Sequence, residues 1–219
     1  MSAPQDQSIL WEAAYSRFET PQQEVRKFKR RLMRLGVANW PRDAAVVELF
    51  CGRGNGLVAL AELGFARLEG VDLSSRLLAQ YHGAAKCYVA DCRQLPFAAN
   101  SKDALIVQGG LHHLNTLPED LEQVFSETRR VLRRGGRFVA VEPWPTPFLH
   151  FVHRLCGQAF CRRLSGKLDA LAEMIEYERR TYLQWLGAAD LVMNLLRRHF
   201  EPQHVSMGLG KLAFVGAPR

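Results

Sequence analysis

What this chain lacks narrows the field first. Its five cysteines are odd in number and none forms a Cys-x-x-Cys pair. That excludes the evenly paired framework of small secreted domains and argues for a reducing compartment, with Cys51, Cys87, Cys92, Cys156 and Cys161 as buried thiols. No His, Cys, Asp and Glu spacing of a metal site is visible, so no metal is expected. No basic-then-apolar leader opens the chain, and no apolar run approaches the roughly 20 residues that cross a bilayer. The expectation is a soluble, cytoplasmic protein. Gly-Lys-Ser and Gly-Lys-Thr are absent, which removes a phosphate loop of the Walker type. No internal repeat or low-complexity tract is present.

What remains is an ordinary globular composition. With 219 residues, 47% of them hydrophobic, the chain suits one α/β domain with a cap. A net charge of +7 permits an anionic partner, such as RNA or a lipid surface. Much of the excess is local. Thr20-Pro21-Gln22-Gln23 reads as a helix start, with Thr20 as N-cap, proline in the first turn and Gln23 closing a capping box; Gly36 ends the helix. Val25, Phe28, Leu32 and Leu35 form its apolar stripe. Arg26, Lys27, Lys29, Arg30, Arg31 and Arg34 make the rest basic, and a solvated face is the plain reading.

The stretch Val46 to Gly56 organises everything else. Ala45 to Phe50 reads as a buried strand, Gly52, Gly54 and Gly56 as a turn, and Leu57 to Leu63 as a helix whose N-terminal N–H groups face the turn. Glycine reaches positive φ and lets a ligand touch the backbone. The spacing does not match the dinucleotide fingerprint Gly-x-Gly-x-x-Gly. Glu48 near the strand end would repel a pyrophosphate but suits a cation. An acidic residue followed by alternating glycines resembles the first motif of the class I S-adenosylmethionine (SAM)-dependent methyltransferases, with Phe50 standing where that pattern has its first glycine. Later residues extend the resemblance. Leu68 to Leu73 reads as a second strand with Asp72 at its end, and Lys86 to Cys92 as a third. Asp91, then Leu95-Pro96-Phe97, then Ser101-Lys102-Asp103, leads into a fourth strand, Ala104 to Gln108. Leu132-Arg133-Arg134-Gly135-Gly136 resembles the family's Leu-Lys-Pro-Gly-Gly. It is expected to close a helix over Pro118 to Leu132 before a fifth strand, Arg137 to Glu142.

The resemblance implies a Rossmann-like α/β fold: a seven-stranded, mostly parallel sheet with an antiparallel C-terminal strand, helices on both faces and a helical cap insertion. It places N-terminal helices in 1–40, the SAM-binding core in 44–142, the cap in 143–187 and a closing helix and hairpin in 188–219. It implies S-adenosyl-L-methionine as cofactor, surrounded by Glu48, Phe50, Cys51, Gly52, Gly54, Asn55, Asp72, Leu73, Asp91, Cys92 and Gln108, with Tyr15 covering it. Asp72 would accept from the ribose hydroxyls; its alternative role is the N-cap of the helix from Ser74-Ser75. Asp91 would meet the adenine amino group. Trp11, Tyr15 and Phe18, at helical spacing, fit equally a helix docked on the core.

The acceptor side is read from position. His112 and His113 follow strand four, where open α/β sheets hold ligands. His113 is the expected base, His112 its positioning partner and Glu142 the alternative base; the plain reading is a histidine that orients its loop. Glu178, Tyr182 and Trp185 lie at helical spacing in the cap, with Trp185 assigned to the core. After strand four the chain reads Gln108-Gly109-Gly110-Leu111 rather than Asn/Asp-Pro-Pro-Tyr, which disfavours amino-group methylation of nucleic acids or glutamine. The sequence around Cys51 also resembles RNA uracil-C5 methyltransferases, but their nucleophilic-cysteine motif is not visible. The leading expectation is therefore transfer to a small lipophilic or aromatic acceptor, as in the ubiquinone/menaquinone-type branch. An RNA methyltransferase and a non-catalytic SAM- or partner-binding module are the alternatives. Phe148, Phe151 and Phe160 among Arg154, Arg162 and Arg163 leave an anionic membrane surface open as a partner.

Overall fold

Apolar residues on both faces of each central strand dictate a sheet covered on both sides. The computed structural model describes residues 4–219, with side chains from Leu10 onward; the first residues of the expected N-terminal segment lie outside it. Helices α1 (Pro4–Phe18) and α2 (Pro21–Arg34) lead into β1 (Ala45–Leu49), α3 (Asn55–Glu62), β2 (Arg67–Asp72), α4 (Ser75–Leu78), β3 (Lys86–Val89) and β4 (Lys102–Gln108). There follow α5 (Glu119–Val131), β5 (Leu132–Pro143), α6 (Pro147–Cys156), α7 (Ala159–Leu164), α8 (Gly166–Tyr177), α9 (Arg179–Gly187), α10 (Ala189–His199), β6 (Phe200–Gly208) and β7 (Lys211–Pro218). The sheet order is β3-β2-β1-β4-β5-β7-β6. The first five strands run parallel, and β7 pairs antiparallel with both β5 and β6. This is the Rossmann-like seven-stranded sheet the sequence led us to expect.

Strand periodicity of two divides the interior. Val47, Leu49, Leu105, Val107, Phe138 and Ala140 enter one core with Phe125, Trp185 and Phe200. Val46, Ala104, Ile106, Val139 and Val141 enter the other with Phe28, Leu32, Leu57 and Leu60. The capping box of α2 forms as read, Thr20 accepting from the Gln23 N–H and Gln23 returning to the Thr20 N–H. Some boundaries move. β1 stops at Leu49, α3 starts at Asn55 and β3 ends at Val89. The larger correction concerns Gly135-Gly136, which do not end α5. That helix stops at Val131 because Leu132 already pairs with Lys102; the glycines lie in a bulged opening of β5 before the register resumes at Arg137 opposite Ala104. Among the described residues, no helix is long and apolar enough to cross a membrane.

Candidate active site

The parallel strands end on one edge of the sheet, and a cavity of about 950 Å³ lies there, closed above by α1, α6 and α8. Tyr15, Glu48, Phe50, Cys51, Gly52, Asn55, Asp72, Leu73, Asp91, Cys92, Gln108, His112 and His113 all line it. Gly54 and Glu142 do not.

One half is acidic. Glu48 is 3% exposed, and its Oε2 has no hydrogen-bond partner. It fits because position 56 is glycine; a Cβ there would fall on the carboxylate. Burial pushes the Glu48 carboxyl up to about 8, with Gln108 pulling the other way. An ionised carboxyl without a donor is costly there, so the group holds its proton until a ligand cation supplies what is missing. Phe50 takes φ 55°, the left-handed conformation a glycine would hold there. Gly52, at φ 51°, donates its N–H to Asp72 Oδ2 at 2.8 Å. Asp72 Oδ1 accepts from the Ser74 N–H at 2.8 Å, while Ser74 itself caps α4. Asp72 therefore ties the glycine turn to the next one rather than capping a helix. Gly54, at φ 77°, faces the Tyr81 ring, so a left-handed backbone and ring packing both account for its missing side chain.

Asp91 is engaged by its own neighbour: Arg93 Nη2 donates to Oδ2 at 2.6 Å, and Arg93 Nη1 reaches Asp120 at 2.7 Å. These bonds hold the Asp91 carboxyl below its usual range. Burial pushes the Cys51 and Cys92 thiols up, Cys92 to about 12, so neither offers a thiolate at neutral pH. Asn55 donates to Glu24 Oε2 at 2.5 Å, and the Tyr15 hydroxyl donates to Glu24 Oε1. Glu24 thus joins α1, α2 and the glycine turn, a role that its place in the first turn of α2 did not announce. Tyr15 stacks on Trp11 at 4.9 Å, beneath the Arg53 guanidinium. Helix α1 is pinned to α8 by Arg17 with Asp169 and Glu173, and toward α4 by Glu12 with Arg76.

The other half gathers imidazoles. Glu142 is fully buried. Its Oε1 accepts from the Gly110 and Leu111 N–H groups at 2.8 and 2.9 Å, and its Oε2 takes His112 Nδ1 at 2.7 Å. Both oxygens are spent, which corrects the expectation of a free base at this position. Desolvation raises the Glu142 carboxyl, but these partners outweigh it and leave it below its ordinary value. His113 is 36% exposed along its side chain, into the cavity, and burial, then His112, holds its imidazole well below the ordinary value. Glu178 reaches in from the turn between α8 and α9, its Oε1 3.3 Å from His113 Nδ1. Tyr182 also lines the cavity, whereas Trp185 is buried and donates to the Pro143 carbonyl at 2.8 Å, as assigned. Leu149, Val152, Leu168, Leu171 and Ile175 make the roof apolar. Lys27 and Arg31, read as part of a solvated face, turn into the cavity beside Lys211, which burial pulls down to about 8.

Comparison with known proteins bears on the family and the fold. A family profile described as "Methyltransferase domain" matches residues 47–140. The chain is 29% identical to a demethylmenaquinone methyltransferase of Mycobacterium marinum, over 78% of this chain and 73% of that one. It is 32% identical to a ubiquinone/menaquinone biosynthesis C-methyltransferase of Syntrophotalea carbinolica, over 64% of this chain and 66% of that one. Other curated relatives are matched over 64%, 51% and as little as 38% of their lengths. A solved protein of Pyrococcus horikoshii superposes with a TM-score of 0.66 at 21% identity, covering 90% of this chain and 92% of that chain.

Proposed function

Because the chain belongs to the class I SAM-dependent methyltransferases, we propose that it carries the SAM methyl group to a small lipophilic or aromatic acceptor. The observation that supports this most is one cavity with two unlike halves. Glu48, with its unpartnered oxygen, suits the cationic amino-acid end of SAM. Asp72 and Leu73 suit the ribose, and Asp91 and Cys92 the adenine, with Tyr15 closing over them. The residues present therefore fit the cofactor. When bound there, SAM would supply an activated methyl group that an acceptor's electron pair would take as the carbon–sulfur pair leaves on sulfur. The cofactor arrives activated, so the chain's task is to align the two partners and exclude water. His112 and His113 hold the acceptor and assist loss of its proton. Glu142 acts through His112 as a positioning residue. The segment 143–187 serves as the acceptor's cap, and a lipophilic acceptor is in keeping with relatives named demethylmenaquinone methyltransferase and ubiquinone/menaquinone biosynthesis C-methyltransferase.

The test is transfer of labelled methyl from SAM into the fractions of a cell extract. Label is expected in the lipophilic small-molecule fraction and to fall about 10²–10⁴-fold in kcat for His113→Ala at saturating SAM, the usual size of assistance to proton transfer. Label confined to RNA would overturn the acceptor class. Full activity of His113→Ala would remove the histidine from the chemistry.

Helices α6 and α7 support a route for such an acceptor. Their surfaces carry Phe151 at 58% and Phe160 at 72% exposure, with Arg154 and Arg163 exposed on the same two helices, while Leu149 and Val152 of α6 line the cavity beneath. Apolar anchors among cations suit an anionic bilayer surface. The chain is expected to float with anionic vesicles and not with neutral ones. Each arginine replaced should weaken binding about fivefold, from roughly 1 kcal/mol per cation. Absence of flotation would remove the membrane from this account, and equal flotation with both vesicle types would remove the arginines from it.

A further inference from the structure

We propose that His112, His113 and Glu178 form a mononuclear divalent-metal site in the acceptor half of the cavity. Three independent features converge there. First, the donor atoms are together: Glu178 Oε1 is 3.3 Å from His113 Nδ1, Glu178 Oε2 is 3.8 Å from His112 Nε2, and one donor atom from each residue falls within 4.8 Å of the others. Donors on one tetrahedral zinc stand roughly 3.3 Å apart, given zinc–nitrogen bonds of about 2.0 Å, so small side-chain rotations bring all three onto one ion. Second, the donor set is two imidazoles and one carboxylate, which suits Zn²⁺, Mn²⁺ or Fe²⁺ and leaves open positions. Third, the tautomer is set from behind. Glu142 Oε2 accepts from His112 Nδ1 at 2.7 Å, so the proton sits on Nδ1 and Nε2 turns its lone pair toward Glu178. A carboxylate bonded to the far nitrogen of a ligating histidine is the usual outer support of a metal site.

All three donors line the cavity, so the open positions face the acceptor. The ligand that fits them is a hydroxyl oxygen on the acceptor, and this part of the inference rests on the methyl-transfer reading. With both imidazoles on the ion, the histidines assist through it rather than as bases: the bound hydroxyl releases its proton to water, and the pair left on the acceptor forms the bond to the methyl carbon as the carbon–sulfur pair departs on sulfur. The ion's part is to make that proton loss easy near neutral pH, as a Lewis acid. The acceptor class narrows accordingly to phenol-like or enol-like compounds. Sequence spacing hides the site because Glu178 enters from the cap, far along the chain from the adjacent histidines.

The test strips the purified full chain with a chelator and titrates Zn²⁺ and Co²⁺ separately, reading heat and, for Co²⁺, the visible absorption of a low-coordinate ion. One ion per chain is expected. Binding should weaken by more than about 100-fold in Glu178→Ala, and by about 10–100-fold in Glu142→Gln, the range for loss of outer-shell support. SAM affinity, measured beside it, reports that each variant is folded. Absence of a bound ion in a chain that still binds SAM overturns the site, as does binding that Glu178→Ala leaves unchanged. Metal binding without any methyl transfer to hydroxyl-bearing compounds would instead count against the methyl-transfer reading, leaving the site in place.

Discussion

Glu48→Gln is expected to weaken SAM binding about 10–100-fold, the 1.5–3 kcal/mol of a charge-assisted hydrogen bond. The reason is the unpartnered Oε2 in a buried pocket built around it. The pH dependence carries a sign. With its carboxyl raised to about 8 from an ordinary 4.5, ligand-free Glu48 is protonated at neutral pH. SAM binding must expel that proton, so wild-type affinity should climb as pH rises toward 8. Near roughly 7.7–8.0 the ligand's own α-amino group begins to lose its charge, which sets an optimum there. Stability runs the opposite way. Between pH 4.5 and 8 the folded carboxyl holds a proton that the unfolded chain has released, so Glu48 costs stability as pH rises through that window. Without ligand at pH 8 the glutamine variant should melt higher than wild type. Calorimetric titration from pH 6 to 9 and melting curves check both halves. SAM affinity within threefold of wild type at every pH would remove Glu48 from the cofactor site.

Glu142→Ala is expected to destabilise the fold by about 3–5 kcal/mol, because it strips three buried donors of their acceptor at about 1–3 kcal/mol for each group left unpaired, with overlap among them. For a domain of this size that is a fall of roughly 6–20 °C in Tm. The alanine leaves His112 Nδ1–H and the Gly110 and Leu111 N–H groups without acceptors in a dry interior. Glu142→Gln keeps one acceptor and should lose about 1–3 kcal/mol. Because the partners of Glu142 hold its carboxyl below the ordinary 4.5, its contribution is in place above that pH and drains away as pH falls below it. SAM affinity of the glutamine variant should stay near wild type, since Glu142 does not reach the cavity. Thermal melts beside SAM titrations decide the matter: an unchanged Tm would contradict the buried network, and a SAM defect as large as that of Glu48→Gln would contradict its placement.

The sheet was legible because apolar strand runs, each followed by a turn, announce parallel strands with their ends on one edge. Glu48, Asp72, His112 and His113 follow from that edge alone. What resisted reading was partnership. Asp91 is two residues from the arginine that claims it, and nothing in the spacing says that Arg93 folds back and also reaches Asp120. Lys27 and Arg31 share a basic helix with exposed cations, and only the placement of β7 puts Lys211 opposite them. Gly135-Gly136 carried a strong helix-stop signal that the pairing of Leu132 with Lys102 overrode.

The left-handed Phe50 has a consequence for how this sequence can change. Its ring lies against the backbone of Gly110, where any Cβ would collide with it. The first turn of the fold and the histidine loop are thereby fitted to each other through one aromatic face. Glycine at position 50 would release the roughly 1–2 kcal/mol of backbone strain but would leave the floor of the cavity open above Gly110. A side chain at position 110 can be admitted only after position 50 becomes small. Positions 50 and 110 are therefore expected to change as a pair, with Phe50 blocking a side chain at 110 until it becomes small.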